Sequence, residues 1–285
     1  MLEIKKGQNV IIGKNVIFGE NVIIKNNCII EDNVTIGDNV YIDNNSIIRS
    51  DVTIGCDSNI GANCILGEFQ MDFFEDHLYH KHATKIGDKA IVRSGSIIYG
   101  GVDIGDNFQS GHNVTIREGA IIGNNVSVGT LSDIQGNCKI GNYVRLHSNV
   151  HVGMKTIIDD CCWVFPYVVF TNDPTPPSDV MTGVHVHPFA IVATGAVVLP
   201  GIEIASDSLI GAGTVVNKNV EKYQVVVGNP GKAKADIRNI KNKLTGRSHY
   251  PWRYHFDRNM PWENYGFDEW LEMQDEYLKK LLLGN

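Results

Sequence analysis

Residues 30–48 read Ile30-Glu31-Asp32-Asn33-Val34-Thr35-Ile36-Gly37-Asp38-Asn39-Val40-Tyr41-Ile42-Asp43-Asn44-Asn45-Ser46-Ile47-Ile48. An aliphatic side chain returns at every sixth place, a smaller residue stands two places before it, and a Gly, Asp or Asn turn tends to follow. The frame runs unbroken from Ile12 through Phe18, Ile24 and Ile30 to Leu66. A second block holds it from Ile86 to Phe170 with Ser110 as its polar exception, and a third from Val186 to Val216, giving 31 positions. Neither a 3.6-residue period nor plain alternation produces this pattern. Each hexad reads as one short strand plus one corner.

Such a unit cannot bury its aliphatic alone, so successive hexads must stack into a solenoid with a continuous apolar axis. Three hexads per coil make a triangular prism. With strands ~4.8 Å apart, about ten coils span roughly 50 Å. The hexapeptide repeat resembles that of the left-handed parallel β-helix family over nearly all of residues 8 to 220. The handedness is what the resemblance implies, since the general crossover rule points the other way. The fold class is therefore all-β: a β-helix over residues 1–220 with loop insertions at about 67–85 and 171–185, followed by a helical, aromatic-rich tail over 221–285.

A net charge of -7 argues against a polyanionic nucleic acid as the main partner. The chain contains no stretch of 18 apolar residues, and its first residues, Met1-Leu2-Glu3-Ile4-Lys5-Lys6, lack a signal-peptide core. These features imply a cytoplasmic protein with no membrane partner. Cys28, Cys64, Cys138 and Cys162 fall on the small inward position, and the chain has no Cys-x-x-Cys pair, so buried packing is expected and no metal.

The frame slips twice. Leu66 and Ile86 are 20 residues apart, with histidines and aromatics between; Phe170 and Val186 are 16 apart, spanning Asn172-Asp173-Pro174-Thr175-Pro176-Pro177. Insertions in solenoids often build the binding face. In the tail, Lys232 to Thr245 reads as a helix with Ile237, Ile240 and Leu244 on one side. Phe267 to Leu283 reads as a second, burying Phe267, Trp270, Leu271, Leu278 and Leu282. A cap on the open end of the prism is the simplest use for this tail.

Residues 18 apart stack vertically. One corner reads Asp88, Asp106, Asn124, Asn142 and Asp160, which is turn chemistry and scaffold. The next reads Ser94, His112, Thr130, Ser148 and Pro166; the third, Gly100, Glu118, Gly136, Met154 and Asn172. Between these two corners lies a face with Tyr99, Arg117, Asp133 and His151 in its outward columns, and Asp133 is one coil from His151. His112 and Asn172 sit on opposite edges of that face, roughly 15 Å apart at ~3.3 Å per residue. One prism cannot bring them to one substrate, whereas a trimer can.

The third block, Ala196-Val197-Val198-Leu199-Pro200-Gly201 through Ile210-Gly211-Ala212-Gly213-Thr214-Val215-Val216 to Val227-Gly228-Asn229-Pro230, resembles the terminal coils of hexapeptide-repeat acyltransferases that use acetyl-CoA. This resemblance implies acetyl-CoA as co-substrate along Ala193, Gly195, Ala212 and Gly213, with Lys218 and Lys232 near its phosphates. Gly111-His112-Asn113-Val114-Thr115-Ile116-Arg117-Glu118, Phe170-Thr171-Asn172-Asp173 and the Tyr250-Pro251-Trp252 to Met260-Pro261-Trp262 stretch narrow it further. Together they resemble N-acetyltransferases of dTDP-3-amino-3,6-dideoxyhexoses. What this implies is a homotrimer that acetylates a nucleotide-linked amino sugar for cell-surface glycans. Asn172 and Asp173 would lie near the amine, His112 or Asp173 would accept its proton, and Arg93, Tyr99, Arg117, Glu118, His147 and His151 would hold the substrate. Met154 stands where that family leads one to expect Glu, a departure bearing on the sugar or acyl group. Two alternatives share the prism: an acyl-ACP-dependent O-acyltransferase, and a γ-type carbonic anhydrase with zinc at His147 and His151.

Overall fold

The computed structural model describes residues 4–78 and 81–283. All 31 hexad positions, Ser110 included, are the second residue of a two-residue ladder or lie inside a slightly longer one, from Ile11–Ile12 to Val215–Val216. The strands form three sheets of 13, 11 and 10 strands, parallel throughout up to Val227, and every third strand in sequence is a neighbour in space as far as Val215–Val216. This is the left-handed parallel β-helix. Its axis is one continuous core running from Val22 to Val226, with Cys28, Cys64, Cys138 and Cys162 buried in it as free thiols. Ile12 and Phe18 stay half-buried because their coil has no neighbour above.

The Asp-Asn turns follow from local chemistry. The residue after each corner Asp or Asn adopts left-handed φ near 57°, as at Asn33, Asn39 and Asn107, a region Asn tolerates better than most residues. The corner carboxylate or amide accepts an N–H from the coil before it, as Asp32 Oδ1 does from Lys14 at 2.6 Å, and the Asn side chains chain together, Asn9 Nδ2 to Asn27 Oδ1 at 3.1 Å. The turn residue thus specifies the stack as well as the bend.

Three sequence expectations are corrected. Lys232–Asp236 is an antiparallel strand, paired with Gln224–Val227, and not the start of a helix. It closes the lower edge of the 13-stranded sheet, a use that suits its alternating Lys-Ala-Lys-Ala pattern and an edge that would otherwise stay open. Only a short 3-10 turn, Ile237–Asn239, follows; Ile237 is buried, whereas Leu244 is 97% exposed. The final helix is two, Phe267–Glu272 and Glu276–Leu283. Asp275 causes the break, because its carboxylate caps Leu278 N at 2.7 Å and so starts a new helix.

The tail also does not cap the end of the prism. It lies along the 13-stranded sheet and the corner read above as scaffold. At that corner the left-handed position passes from Asn107 and Asn125 to Tyr143, Cys161 and Phe189, with φ of 57°, 60° and 65°. Holding such side chains there costs roughly 1–2 kcal/mol each, and the tail offsets it. Cys161, Phe189 and Ile191 form a second core with Trp252, Met260, Trp262, Phe267 and Leu282. Arg253 is buried with Asp207 as an ion pair and lies 4.6 Å from the Phe189 ring centroid. Trp252 Nε1 donates to Phe189 O at 3.0 Å.

Candidate active site

The residues proposed from sequence divide between two faces. On the 11-stranded sheet, His151 Nδ1 lies 3.1 Å from Asp133 Oδ2, as their vertical register requires. Arg117 holds Glu118 with Nε and a terminal nitrogen at 2.9 and 3.0 Å and lies 5.0 Å from the Tyr99 ring centroid. That fork raises the Arg117 pKa. The charges on this face are therefore already matched with one another.

Asn172 and Asp173 follow this face at its far edge. Asn172 O accepts Thr182 N at 2.8 Å. The Asp173 carboxylate accepts Ser178 Oγ at 2.7 Å, Ser178 N at 2.9 Å and Thr175 N at 3.0 Å, which together hold its pKa below the usual range. A carboxylate so stabilised is a weak base. In this structure Asp173 ties together the turn of its own loop.

Arg93 and His147 point to the other face, the tail-bearing sheet. There the outward columns Gln109, Ser127, Arg145, Trp163, Ile191, Leu209 and Arg93, Gly111, Gly129, His147, Phe165, Ala193 frame a groove whose outer wall is residues 249–261 of the tail. It holds three adjoining cavities of about 320, 600 and 350 Å³, and Trp163 lines all three. The lower part is aromatic and apolar, with Phe165, Ile191, Leu209, Tyr250, Trp252 and Phe256. The upper parts carry Arg93, Arg145 and Arg258. From Arg93 to Ala193 is five coils, roughly 24 Å at ~4.8 Å per coil.

Charge separates this groove from the opposite face. The Arg145 guanidinium bonds the backbone oxygens of Asn125 and, at 3.0 Å, of Asn259, and burial lowers its pKa. Among the described residues, Arg93, Arg145 and Arg258 make no ion pair. In a chain of net charge -7, three guanidiniums without carboxylate partners among the described residues line this one groove.

The polar exception in the core sits beneath Arg93. Ser110 Oγ accepts the Arg93 N–H at 2.9 Å, where the neighbouring ladder uses backbone oxygens, and Phe108 fills the volume alongside. The exchange of sizes at Phe108 and Ser110 thus re-aims the backbone of Arg93. His112, on the corner beyond, is exposed, and its N–H donates to Thr130 Oγ1 at 3.2 Å. Of the residues expected to meet a cofactor, Ala193 lines the groove. Gly195 and Gly213 stack at the corner below with left-handed φ of 71° and 68°, and a Cβ on either would touch nothing within 4 Å. Ala212 is exposed beside them, and Lys232 pairs with Val227 at the same end of the sheet. Lys218 does not join them. It follows Val215–Val216 of the 11-stranded sheet, at that sheet's other edge.

Sequence reading missed Arg145, Trp163 and Phe165, although a signal existed. Trp163 and Phe165 put two large rings two residues apart on an outward face, where the upper coils have Gln109 with Gly111 and Ser127 with Gly129. His147 stacks on Phe165 at 4.7 Å and 12°, and burial lowers its pKa. Its imidazole is therefore neutral near pH 7. A depressed histidine pKa contributes stability above the unfolded value near 6.5 and loses it as pH falls through the folded value. His147→Gln is expected to flatten the fall in unfolding free energy below about pH 6.5; denaturant melts at several pH values check it, and an unchanged slope would contradict the buried, neutral ring.

His147 and His151 project from different sheets. Within one chain they cannot share a zinc ion. Among the described residues, no helix is long and apolar enough to cross a membrane.

A left-handed parallel β-helix with an arginine- and aromatic-lined groove on its tail-bearing sheet is the class that fold and site define. Residues 7–37, 33–68 and 119–153 match the family described as bacterial transferase hexapeptide (six repeats), about a third of the chain. A Schizosaccharomyces pombe protein bearing the name "putative acetyltransferase" is 42% identical over 52 residues, 18% of this chain and 24% of its own. A Staphylococcus aureus protein of the same description is 47% identical over 47 residues, 16% of this chain and 22% of its own. The chain spans about a quarter of the length of these curated relatives. Among solved structures, the UDP-N-acetylglucosamine acyltransferase of Campylobacter jejuni is 18% identical, covers 98% of this chain and 93% of its own, and has a TM-score of 0.41. The GDP-perosamine N-acetyltransferase of Caulobacter crescentus, solved with CoA and GDP-perosamine, is 21% identical over 50% of this chain and 54% of its own, with a TM-score of 0.31.

Proposed function

We propose that this chain is an acetyl-CoA-dependent N-acetyltransferase acting on a nucleotide-linked amino-deoxyhexose, with dTDP as the nucleotide, and that it works as a homotrimer. The observation that carries the reading is the groove on the tail-bearing sheet, with guanidiniums at one end and stacked rings at the other. Phosphates fit the Arg93 and Arg145 end; a pantetheine arm fits the apolar end and the open corner at Gly195 and Gly213. The transferase match and the acetyltransferase names of the short-range relatives support the reaction class. The tail, residues 221–285, then serves as the roof of the binding groove.

The chemistry asks for little. The sugar nitrogen attacks the thioester carbon, the C–S bond breaks, and the nitrogen loses a proton while CoA leaves as a thiolate. A neutral imidazole is the suitable acceptor. His147, in the groove, meets that requirement from within; His112, on the exposed corner, is the second candidate, reached when a neighbour's Asn172 loop packs there. Positioning supplies much of the acceleration, because a sugar amine is partly neutral near pH 7.

The test is to incubate the protein with acetyl-CoA and dTDP-, UDP- and GDP-linked amino sugars and hydroxy sugars, following thiol release. Transfer to an amino sugar with dTDP preferred is expected. Transfer only to hydroxy sugars, or only from acyl-ACP, would give the function to the O-acyltransferase alternative. If the site is shared, co-assembled His112→Ala and Asn172→Ala chains regain activity that neither variant shows alone. A fully active monomer in sedimentation would end the trimer proposal.

A further inference from the structure

The third sheet carries a cluster that neither the groove nor the acyl transfer uses. His185 and His187 lie two apart at the start of the strand His185–Val186, so both side chains leave the same side of the sheet. Asp159 directly follows the neighbouring strand Ile157–Ile158 and stands opposite His187, since Ile157 pairs with His185. Asp159 Oδ2 is 2.9 Å from His185 Nε2 and 3.6 Å from His187 Nδ1. One ligand atom from each of the three residues lies within 4.8 Å of the others. Bonds of 2.0–2.2 Å to nitrogen and oxygen place neighbouring ligands of one ion about 3–3.5 Å apart, so the observed pair distances bracket that span.

We infer that Asp159, His185 and His187 form a mononuclear site for a divalent transition metal, zinc by its two-nitrogen, one-oxygen donor set. An ion pair alone needs one histidine; here two imidazoles face a single carboxylate oxygen. Glu203 lies on the far side of His187, 3.8 Å from Nε2. A small turn of its exposed side chain lets it accept the Nε2 proton, which leaves Nδ1 free to ligate, the usual carboxylate–histidine–metal arrangement. The two rings stand 3.9 Å apart at 29°, and a modest opening of that angle brings both nitrogens onto one ion. The metal has a defined task. His185 is the first ladder residue after the 171–184 excursion, and Asp159 precedes that excursion. An ion joining them fastens the C-terminal end of the loop that carries Asn172 and Asp173 to the preceding coil.

The experiment uses untagged, full-length protein stripped with EDTA and titrated with Co²⁺ and then Zn²⁺. Expected are one Co²⁺ per chain with visible d–d absorption, displacement by Zn²⁺, a rise in Tm, and slower proteolysis within residues 174–182. Binding at least tenfold weaker is expected for His185→Asn and for His187→Asn, whereas His255→Asn retains it. Glu203→Gln, at an exposed position compatible with folding, should weaken it in the same direction. Absence of a Co²⁺ spectrum and of a Tm shift in the wild-type chain, or wild-type affinity in the His185→Asn/His187→Asn double variant, would overturn the site and leave Asp159–His185 as a plain ion pair. Amino-sugar acetylation by the stripped protein tests the function separately from the metal.

Discussion

Replacing Arg253 by methionine is expected to destabilise the chain by about 3–5 kcal/mol, the usual result of leaving one partner of a buried ion pair behind. Arg253 and Asp207 are 5% and 3% exposed, so water cannot take over for the missing charge. Burial already holds the Asp207 carboxyl above its ordinary range despite the guanidinium beside it. A raised carboxyl pKa means that the folded state binds the proton more readily than the unfolded chain, so acid takes nothing from stability through this group. Without Arg253 the tendency strengthens, and Arg253→Met should regain part of its lost stability as pH falls and Asp207 becomes neutral. The double variant Asp207→Asn/Arg253→Met, which removes the stranded charge and keeps a residue suited to the left-handed φ of 57° at position 207, should recover a large part of the loss. Denaturant melts at neutral and mildly acidic pH distinguish these outcomes. A single variant that loses stability on acidification would show that the pair does not anchor the tail in this way.

Trp163→Ala is expected to weaken binding of CoA or of a dTDP-sugar by 10- to 100-fold, about 1.4–2.8 kcal/mol. The ring lines all three cavities of the groove and meets Trp252 and Phe256 edge-on at 5.9 and 5.5 Å. Its loss therefore removes a ligand surface and the support of the roof together. Its buried Nε1 has no hydrogen-bond partner among the described residues, a donor that an incoming ligand or water would satisfy. Trp163→Phe keeps the ring and should retain most of the affinity. Calorimetric titration of each variant checks the pair, and wild-type affinity in Trp163→Ala would move the ligand to another face.

The prism was legible because its signal is one-dimensional. Ile36 or Val198 needs only its own hexad and the coils above and below to be assigned, and period, small inward residue and Asp-Asn corner all agree. Vertical arithmetic reached the Asp133–His151 contact for the same reason. The groove was not legible, because its outer wall comes from residues far along the chain, 114 positions in the case of Asn259 on Arg145. Nothing in Lys232–Thr245 tells that its first five residues will find an edge strand to pair with. That edge outweighs weak helical spacing. Tyr143, Cys161 and Phe189 did carry a readable warning, since bulky residues at a left-handed corner require a compensating contact.

The stacking of one residue per coil makes the groove wall a graduated scale. Every mark is one coil, 18 residues except where the 171–184 excursion lengthens the last to 28, and the cationic and aromatic ends are a fixed number of marks apart. Duplicating residues 112–129 would insert one mark between Arg93 and His147, lengthening their separation by about 4.8 Å while leaving each corner its own turn chemistry. A ligand of fixed length would then reach only one end. Chains built this way can change the size of molecule they accept by counting coils, without redesigning a single contact.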